Sequence, residues 1–222
     1  MKEEKNSKET NEEKVISIQK RIALKMIPEA APEELKENIL EWVTFRSELS
    51  KESDRGCALL AASHLDFLIE ELLKVKMVGT KKQIQSLFDF NGPMGTFSSR
   101  ILISYSIGLI SKSYVNDLQI IRKVRNEFGH SPSIINFDDE KIASFCNNLF
   151  LIDDSNRANK AKFITSVAFL SGSLMGLAFK ESKFKERLDI DLDKTKRDNK
   201  EFREALYKQF KSSKKESNNK KS

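Results

Sequence analysis

The residues best suited to chemistry lie at positions 125–130, which read Arg-Asn-Glu-Phe-Gly-His. Cleavage of RNA through its 2′-hydroxyl needs a group that exchanges a proton near neutral pH, and histidine is suited to that task. A permanently charged, bidentate arginine can hold a phosphate and stabilise the charge that develops on it. In this arrangement His130 would transfer the proton, Arg125 would hold the phosphate, and Asn126 would orient either of them. These residues form a candidate catalytic site for metal-independent RNA cleavage.

An arginine followed five residues later by a histidine resembles the R-x4-6-H signature of the HEPN-fold ribonucleases. That resemblance implies a small helical bundle that dimerises, with two such motifs facing one cleft, and a toxin or antiphage role. The alternative is structural. Cations in the last turns of a helix complement its dipole, and His130 could simply cap the final carbonyl groups. Both interpretations stay open, and so does the question of whether this protein is an enzyme.

A second candidate site is the turn that contains Asn91, Gly92 and Gly95, followed by Thr96 and Arg100. As an anion or ligand site, it would offer backbone N–H groups at a helix start, with Arg100 converging on the same point. As a purely structural turn, it would need a positive φ at Gly95, a helix cap from Thr96, and an acidic partner for Arg100. No Walker-type Lys-Ser/Thr pair follows the turn, so nucleotide hydrolysis is not indicated.

The other residues with chemical potential are predicted to be structural. His64 is expected to be partly buried and hydrogen-bonded within the bundle, although it could instead lie near the first candidate site. Cys57 and Cys146 have apolar neighbours and are predicted to be buried free thiols. With two histidines and no clustered cysteines, the sequence predicts no metal site, and we expect no cofactor. The acidic clusters at 153–154 and 189–193 are expected to be solvated, since the second lacks the glycine and glutamate of a calcium loop.

Helices must position all of these residues. Apolar residues recur at helical spacing along most of the chain, and no alternating strand pattern of convincing length is present. The 222 residues include only 8 Gly and 4 Pro, too few for a turn-rich sandwich or barrel. We therefore expect an all-α protein, a single bundle of about six to eight helices with disordered charged termini.

Four segments follow from this pattern. They are a disordered N-terminus at 1–13, N-terminal helices at 14–50, a helical core at 51–180, and at 181–222 a charged helix to about residue 211 with a disordered basic tail. A long helix capped by Ser53 begins the core, and Ser111 is predicted to cap the helix that carries residues 125–130. Small residues fill its first half and permit close helix–helix contact, which predicts a central place in the bundle.

The formal net charge of +6 lies in the C-terminal segment. Residues 180–222 hold 15 Lys and Arg against 9 Asp and Glu, whereas residues 1–179 hold 24 of each. A nucleic-acid-binding fold should carry a basic patch, so DNA is the weaker candidate partner. The tail could still add salt-sensitive affinity for RNA or DNA. We find no secretion signal and no run of about 18 apolar residues, and we expect a cytoplasmic protein without a membrane segment.

Part of the core resembles a known family. The residues that carry the resemblance are Asp-Arg-Gly-Cys-Ala at 54–58, NGPxGTFSxRI from Asn91, and GLI…Y…DL..IRK.RN.F.H from Gly108. Over about residues 50–150 they resemble the MltR family of bacterial proteins, named for the mannitol operon repressor. The resemblance implies an all-helical, often dimeric protein tied to the regulation of genes for sugar-alcohol uptake.

Three functions follow from these observations. The first is an MltR-like regulatory protein, a homodimer that acts in transcriptional regulation through contacts with a partner protein. The second is an HEPN-like ribonuclease that uses Arg125, Asn126 and His130 on RNA. The third is a direct DNA-binding repressor, but no pair of short helices with outward-facing basic residues forms a helix-turn-helix. We take the first as the prediction and keep the other two as alternatives.

Overall fold

The computed structural model describes residues 11–151, 157–188 and 190–219, with side chains except at 11–13, 26 and 212–219. Every regular element in those ranges is an α-helix, which confirms the all-α prediction. The helices are α1 (Asn11–Met26), α2 (Glu33–Lys51), α3 (Asp54–Lys76), α4 (Lys81–Phe88), α5 (Phe97–Ser106), α6 (Lys112–His130), α7 (Glu140–Asn147), α8 (Asn159–Lys180) and α9 (Leu192–Asn219). The chain divides into two compact units. The first ends at Phe184 and contains α1–α8, and the second begins at Lys185 and contains α9.

Side-chain caps begin three of the helices at positions that the sequence predicts. The Ser53 hydroxyl accepts a hydrogen bond from the Gly56 N–H at the start of α3. Thr96 and Ser111 play the same part at α5 and α6. Each cap satisfies an N–H group that the first turn of a helix leaves without a backbone partner. Helix α6 carries residues 125–130, which include the candidate catalytic residues.

Helix α3 lies at the centre of the first unit, as its small residues predict. It packs against α2, α5, α6 and α8. Cys57, Ala58, Ala61 and Ala62 are almost completely buried, so the neighbouring helices approach its first half closely. Cys57 and Cys146 are both free and buried, as predicted. Burial raises the pKa of each thiol to about 12.

Helix α8 is the other central helix. It packs against α2, α3, α6 and α7. By length and composition alone this 22-residue helix, with a mean hydropathy of 1.5 over its most apolar 18 residues, is enough to cross a membrane. Its apolar side chains, however, form the core: Phe163, Val167, Leu170 and Leu174 are all fully buried. The core helix of a soluble protein passes the same test of length and hydropathy, so α8 is only weak evidence for a membrane span.

The buried carboxylate of Asp117 joins α6 to the chain around it. Asp117 is completely buried and accepts hydrogen bonds from the N–H groups of Phe150 and Leu151, at 2.8 and 3.1 Å. It also accepts a hydrogen bond from the Ser166 hydroxyl of α8, at 3.0 Å. A buried charge is tolerated when it is fully hydrogen-bonded. Asp117 therefore has a structural role.

The helices extend further into the termini than the sequence predicts. Helix α1 begins at Asn11, inside the segment expected to be disordered, because asparagine and acidic residues suit a helix N-terminus. Helix α9 continues to Asn219, past the predicted end near 211, because adding residues to an existing helix costs little. The Asp191 carboxylate accepts from two N–H groups in its first turn, a capping role. Residues 1–10, the acidic pair at 153–154, Asp189 and residues 220–222 lie outside the described residues.

Candidate functional site

The turn before α5 is built from close backbone contacts. A Cβ atom at Gly92 would lie 2.6 Å from the Ser86 carbonyl oxygen, and one at Gly95 would lie 2.6 Å from the Phe90 carbonyl oxygen. Glycine is therefore required at both positions because no side chain fits. The sequence-based reason for Gly95 was wrong, since only Gly79 and Gly108 have a positive φ among the described residues.

Arg100 holds this turn against α3. Its guanidinium group is almost completely buried and pairs with Asp66 at 2.7 Å and with Glu70 at 2.8 Å. Its Nε also donates a hydrogen bond to the Met94 carbonyl at 2.9 Å. Burial raises the pKa of Asp66 despite the Arg100 guanidinium beside it.

The donors of the predicted anion site are thus engaged inside the protein. The N–H groups of Gly92 and Gly95 donate to the carbonyls of Asp89 and Gly92. The N–H group of Thr96 donates to the Ser99 hydroxyl, whose own N–H donates back to Thr96. Asn91 is exposed. This geometry favours the structural turn over the anion site, which stays a prediction.

Arg125, Asn126 and His130 lie in the last two turns of α6. Nη1 of Arg125 donates to Oδ1 of Asn126 at 2.9 Å, and both side chains are half-buried. Arg125 is also close enough to Asp66 of α3 to act on its carboxylate. His130 is exposed at the end of the helix. Five residues correspond to about 500° of helical rotation, so Arg125 and His130 point about 140° apart. Their catalytic role stays a prediction.

A groove of about 610 Å³ lies between α2, α3 and α8 in the first unit. Its floor is apolar, since Trp42 is 5% exposed and Leu174 is fully buried. Phe67, at 57% exposure, stands open to solvent on its α3 side. We call this surface the aromatic groove. Its lining residues are Glu34, Asn38, Glu41, Trp42, Phe45, His64, Phe67, Leu68, Glu71, Val75, Leu174, Met175, Ala178 and Phe179.

His64 lies in the wall of the aromatic groove. Its ring stacks on Trp42 with centroids 4.5 Å apart and an interplanar angle of 8°, and it also contacts Phe45 at 5.0 Å. Burial lowers its pKa from 6.5 to about 4, so the ring is neutral at neutral pH. Among the described residues Nε2 is buried without a hydrogen-bond partner, so the expected hydrogen bond of His64 stays a prediction for the other ring nitrogen. Stacking on Trp42 and Phe45 of α2 orients the ring.

Carboxylates give the aromatic groove a negative character. Glu34 and Glu41 line it from α2, and Glu71 lines it from α3. Glu71 is paired with Lys74 at 3.0 Å, so the unbalanced negative charge lies on the α2 side. Within the described ranges no three His, Cys, Asp or Glu side chains cluster as a metal site would require.

The comparisons with known proteins match the same region. A family model described as Mannitol repressor (MtlR) matches residues 37–172. The mannitol operon repressors of Escherichia coli strains K12 and O6:H1 are each 24% identical to the chain over 83 residues, which is 37% of this chain. The matched region spans 43% of those relatives, less than half of their length. A chain in the X-ray structure of the MtlR–HPr complex from Escherichia coli has a similar fold, with a TM-score of 0.51 and 18% identity. That match covers 60% of this chain and 98% of the other.

Proposed function

Because this chain belongs to the mannitol repressor family, we propose that it regulates sugar-alcohol uptake genes by binding a protein partner. The observation that carries the proposal is the aromatic groove, an apolar surface open to solvent on the helical core that the family model matches. Exposed apolar surfaces that are rimmed by polar residues mark interaction sites. Buried aromatic side chains are also the residues that most often dominate the energy of a protein contact.

The chemistry of the aromatic groove favours a protein over DNA. Phe45 and Phe67 offer contact area to an apolar side chain, whereas Glu34 and Glu41 would repel phosphate. A suitable partner segment presents one large apolar residue flanked by Lys or Arg. The formal neutrality of residues 1–179 agrees with this preference, since DNA-binding folds rely on a basic surface.

An HPr-type protein is the partner that we propose, because a chain of similar fold lies in the Escherichia coli MtlR–HPr complex. The same proposal places the protein in the cytoplasm and includes a homodimer. Nothing in this proposal requires the chain itself to read a DNA sequence.

A promoter reporter for mannitol uptake genes tests the regulatory part. In a host that lacks the gene, the wild-type chain should restore repression, and the Phe67→Asp variant should not. Leu102→Asp is the matched control, since Leu102 is a similarly exposed apolar residue, 62% exposed on α5, and does not line the groove. Repression that persists in Phe67→Asp, or a full chain that binds the promoter but not scrambled DNA, would contradict the proposal.

RNA cleavage is the second candidate, favoured by the exposure of His130 at the end of α6, the helix that also carries the half-buried Arg125 and Asn126. The test is digestion of a structured RNA by the purified chain in the presence of a chelator. If this function is real, His130→Ala and Arg125→Ala each remove cleavage while the unfolding midpoint stays near that of the wild type. Cleavage by both variants at the wild-type rate, or no cleavage by the wild type, would eliminate this function.

A further inference from the structure

Helix α9 carries its charges in a coiled-coil pattern. From residue 192 to 211, residues at alternating spacings of three and four are all uncharged, whereas 11 of the other 14 are charged. The uncharged positions are Leu192, Thr195, Asn199, Phe202, Leu206 and Gln209. Apolar residues at this 3-4 spacing define the a and d seam of a two-stranded coiled coil, and three of the six positions, Leu192, Phe202 and Leu206, are apolar. Leu192 and Phe202 are each 66% exposed and Leu206 is 47% exposed, so the seam faces solvent.

The two flanks of this seam carry opposite charges. With Leu192, Asn199 and Leu206 at a, the e positions Lys196 and Arg203 are basic and the g position Asp198 is acidic, whereas Ala205 at g and Phe210 at e are uncharged. In a parallel pair of helices, each g residue faces the e residue five positions later on the other helix. Asp198 of one copy then faces Arg203 of the other, twice by symmetry. An antiparallel pair would instead place the basic e flanks against each other.

Asn199 adds a register signal to this pattern. A single asparagine at an a position specifies register and favours the two-stranded state, at some cost in stability. Its neighbours in the seam, Phe202 and Leu206, supply the apolar contact. The Nε of Arg203 lies 3.2 Å from the Asn199 carbonyl, which places this side chain along the edge of the seam.

Other occupants suit this surface less well. A membrane surface favours a broad apolar face with cations on both flanks, whereas Asp198 lies on one flank of this seam and Thr195, Asn199 and Gln209 interrupt its apolar residues. A nucleic acid would be attracted by the excess of Lys and Arg on α9, but its phosphates would leave the apolar side chains of Phe202 and Leu206 exposed. We infer that α9 pairs, parallel and in register, with α9 of a second copy of this chain. The pairing is independent of the aromatic groove and of its partner.

Sedimentation of the full chain over a range of concentrations tests the pairing by charge reversal. Asp198→Arg and Arg203→Asp should each raise the dissociation constant about tenfold or more, because two attractive pairs become repulsive. The double variant Asp198→Arg/Arg203→Asp should restore it to within about threefold of the wild type. Leu206→Asp should leave a monomer. Glu204→Arg is the control, because Glu204 at position f points away from the seam, and it should behave like the wild type.

A monomeric wild type, a dimer that survives Leu206→Asp, or a double variant that fails to recover would each overturn the inference. Recovery in the double variant also excludes loss of helix as the cause of the single effects, and far-UV circular dichroism checks this directly. The direction of pairing has its own test in Asn199→Cys. Parallel, in-register helices bring the two new thiols together and give a covalent dimer on mild oxidation, since Cys57 and Cys146 are buried. Absence of that covalent dimer would rule out the parallel pairing.

Discussion

Protonation of His64 should destabilise the folded protein at mildly acidic pH. Burial lowers the pKa of His64 to about 4, whereas the same group titrates near 6.5 when exposed. Between these two values the unfolded chain binds a proton that the folded chain does not, so the free energy of unfolding falls as the pH falls. Each pH unit in the window corresponds to about 1.4 kcal/mol, which gives roughly 2 to 3 kcal/mol lost between pH 6.5 and pH 4.

Urea unfolding measures this loss, with the fluorescence of Trp42, the only tryptophan, as the signal. The comparison is between the wild type and His64→Phe, which keeps an aromatic ring against Trp42 but cannot titrate. Carboxylates common to both proteins cancel in the difference between their unfolding free energies. As the pH falls from 7 to 4.5, the free energy of unfolding of His64→Phe should rise relative to that of the wild type by about 2 kcal/mol or more. His130→Phe, which changes the other histidine, is the matched control and should keep the wild-type pH dependence.

Equal pH dependence in the wild type and His64→Phe would refute this reasoning. It would mean that the His64 ring accepts a proton in the folded state without cost. The stacking of the ring on Trp42 and the burial of its Nε2 predict that this cost exists. A shift of the same size in His130→Phe would also refute it, because it would assign the effect to the wrong histidine.

Three further predictions concern buried polar groups. Arg100→Met should lower the free energy of unfolding in urea by about 3–5 kcal/mol, because it leaves two carboxylates without their cation. Arg100→Lys should recover only part of that loss. A loss below about 1 kcal/mol for Arg100→Met would contradict this role. Asp117→Ala should lower the free energy of unfolding by about 3 kcal/mol or more, since three donors lose their acceptor, and a thermal midpoint equal to that of the wild type would argue against it. Cys57 and Cys146 should not react with a thiol reagent in the native state and should both react in denaturant, because burial raises their pKa to about 12. Rapid labelling of either thiol in the folded protein would contradict their burial.

Much of the fold could be predicted from local sequence. Helix starts depend on a cap and a few neighbouring N–H groups. The caps Ser53, Thr96 and Ser111 could therefore be identified without any knowledge of tertiary structure. The central place of α3 followed from the small residues of its first half. The extension of α9 to Asn219 was missed, because a run of Lys, Ser and Asn carries little local helix signal even where an existing helix continues through it.

The candidate sites were less predictable, because their contacts join residues far apart in sequence. An acidic partner for Arg100 was expected as one alternative, but Asp66 lies 34 residues away and no local pattern identifies it. The aromatic groove depends on how α2, α3 and α8 pack. Trp42 and Phe45 are only three residues apart, but the sequence could not show that His64 would stack on them. The spacing of Arg125 and His130 suggested a shared site, whereas helical geometry directs them apart.

The contact between the aromatic groove and a protein partner is tested most directly by calorimetric titration of the full chain with purified HPr from the same organism. The wild type should bind, Phe67→Asp should weaken binding at least tenfold, and Leu102→Asp should bind like the wild type. No binding by the wild type, or equal affinity for Phe67→Asp and Leu102→Asp, would contradict the proposed function.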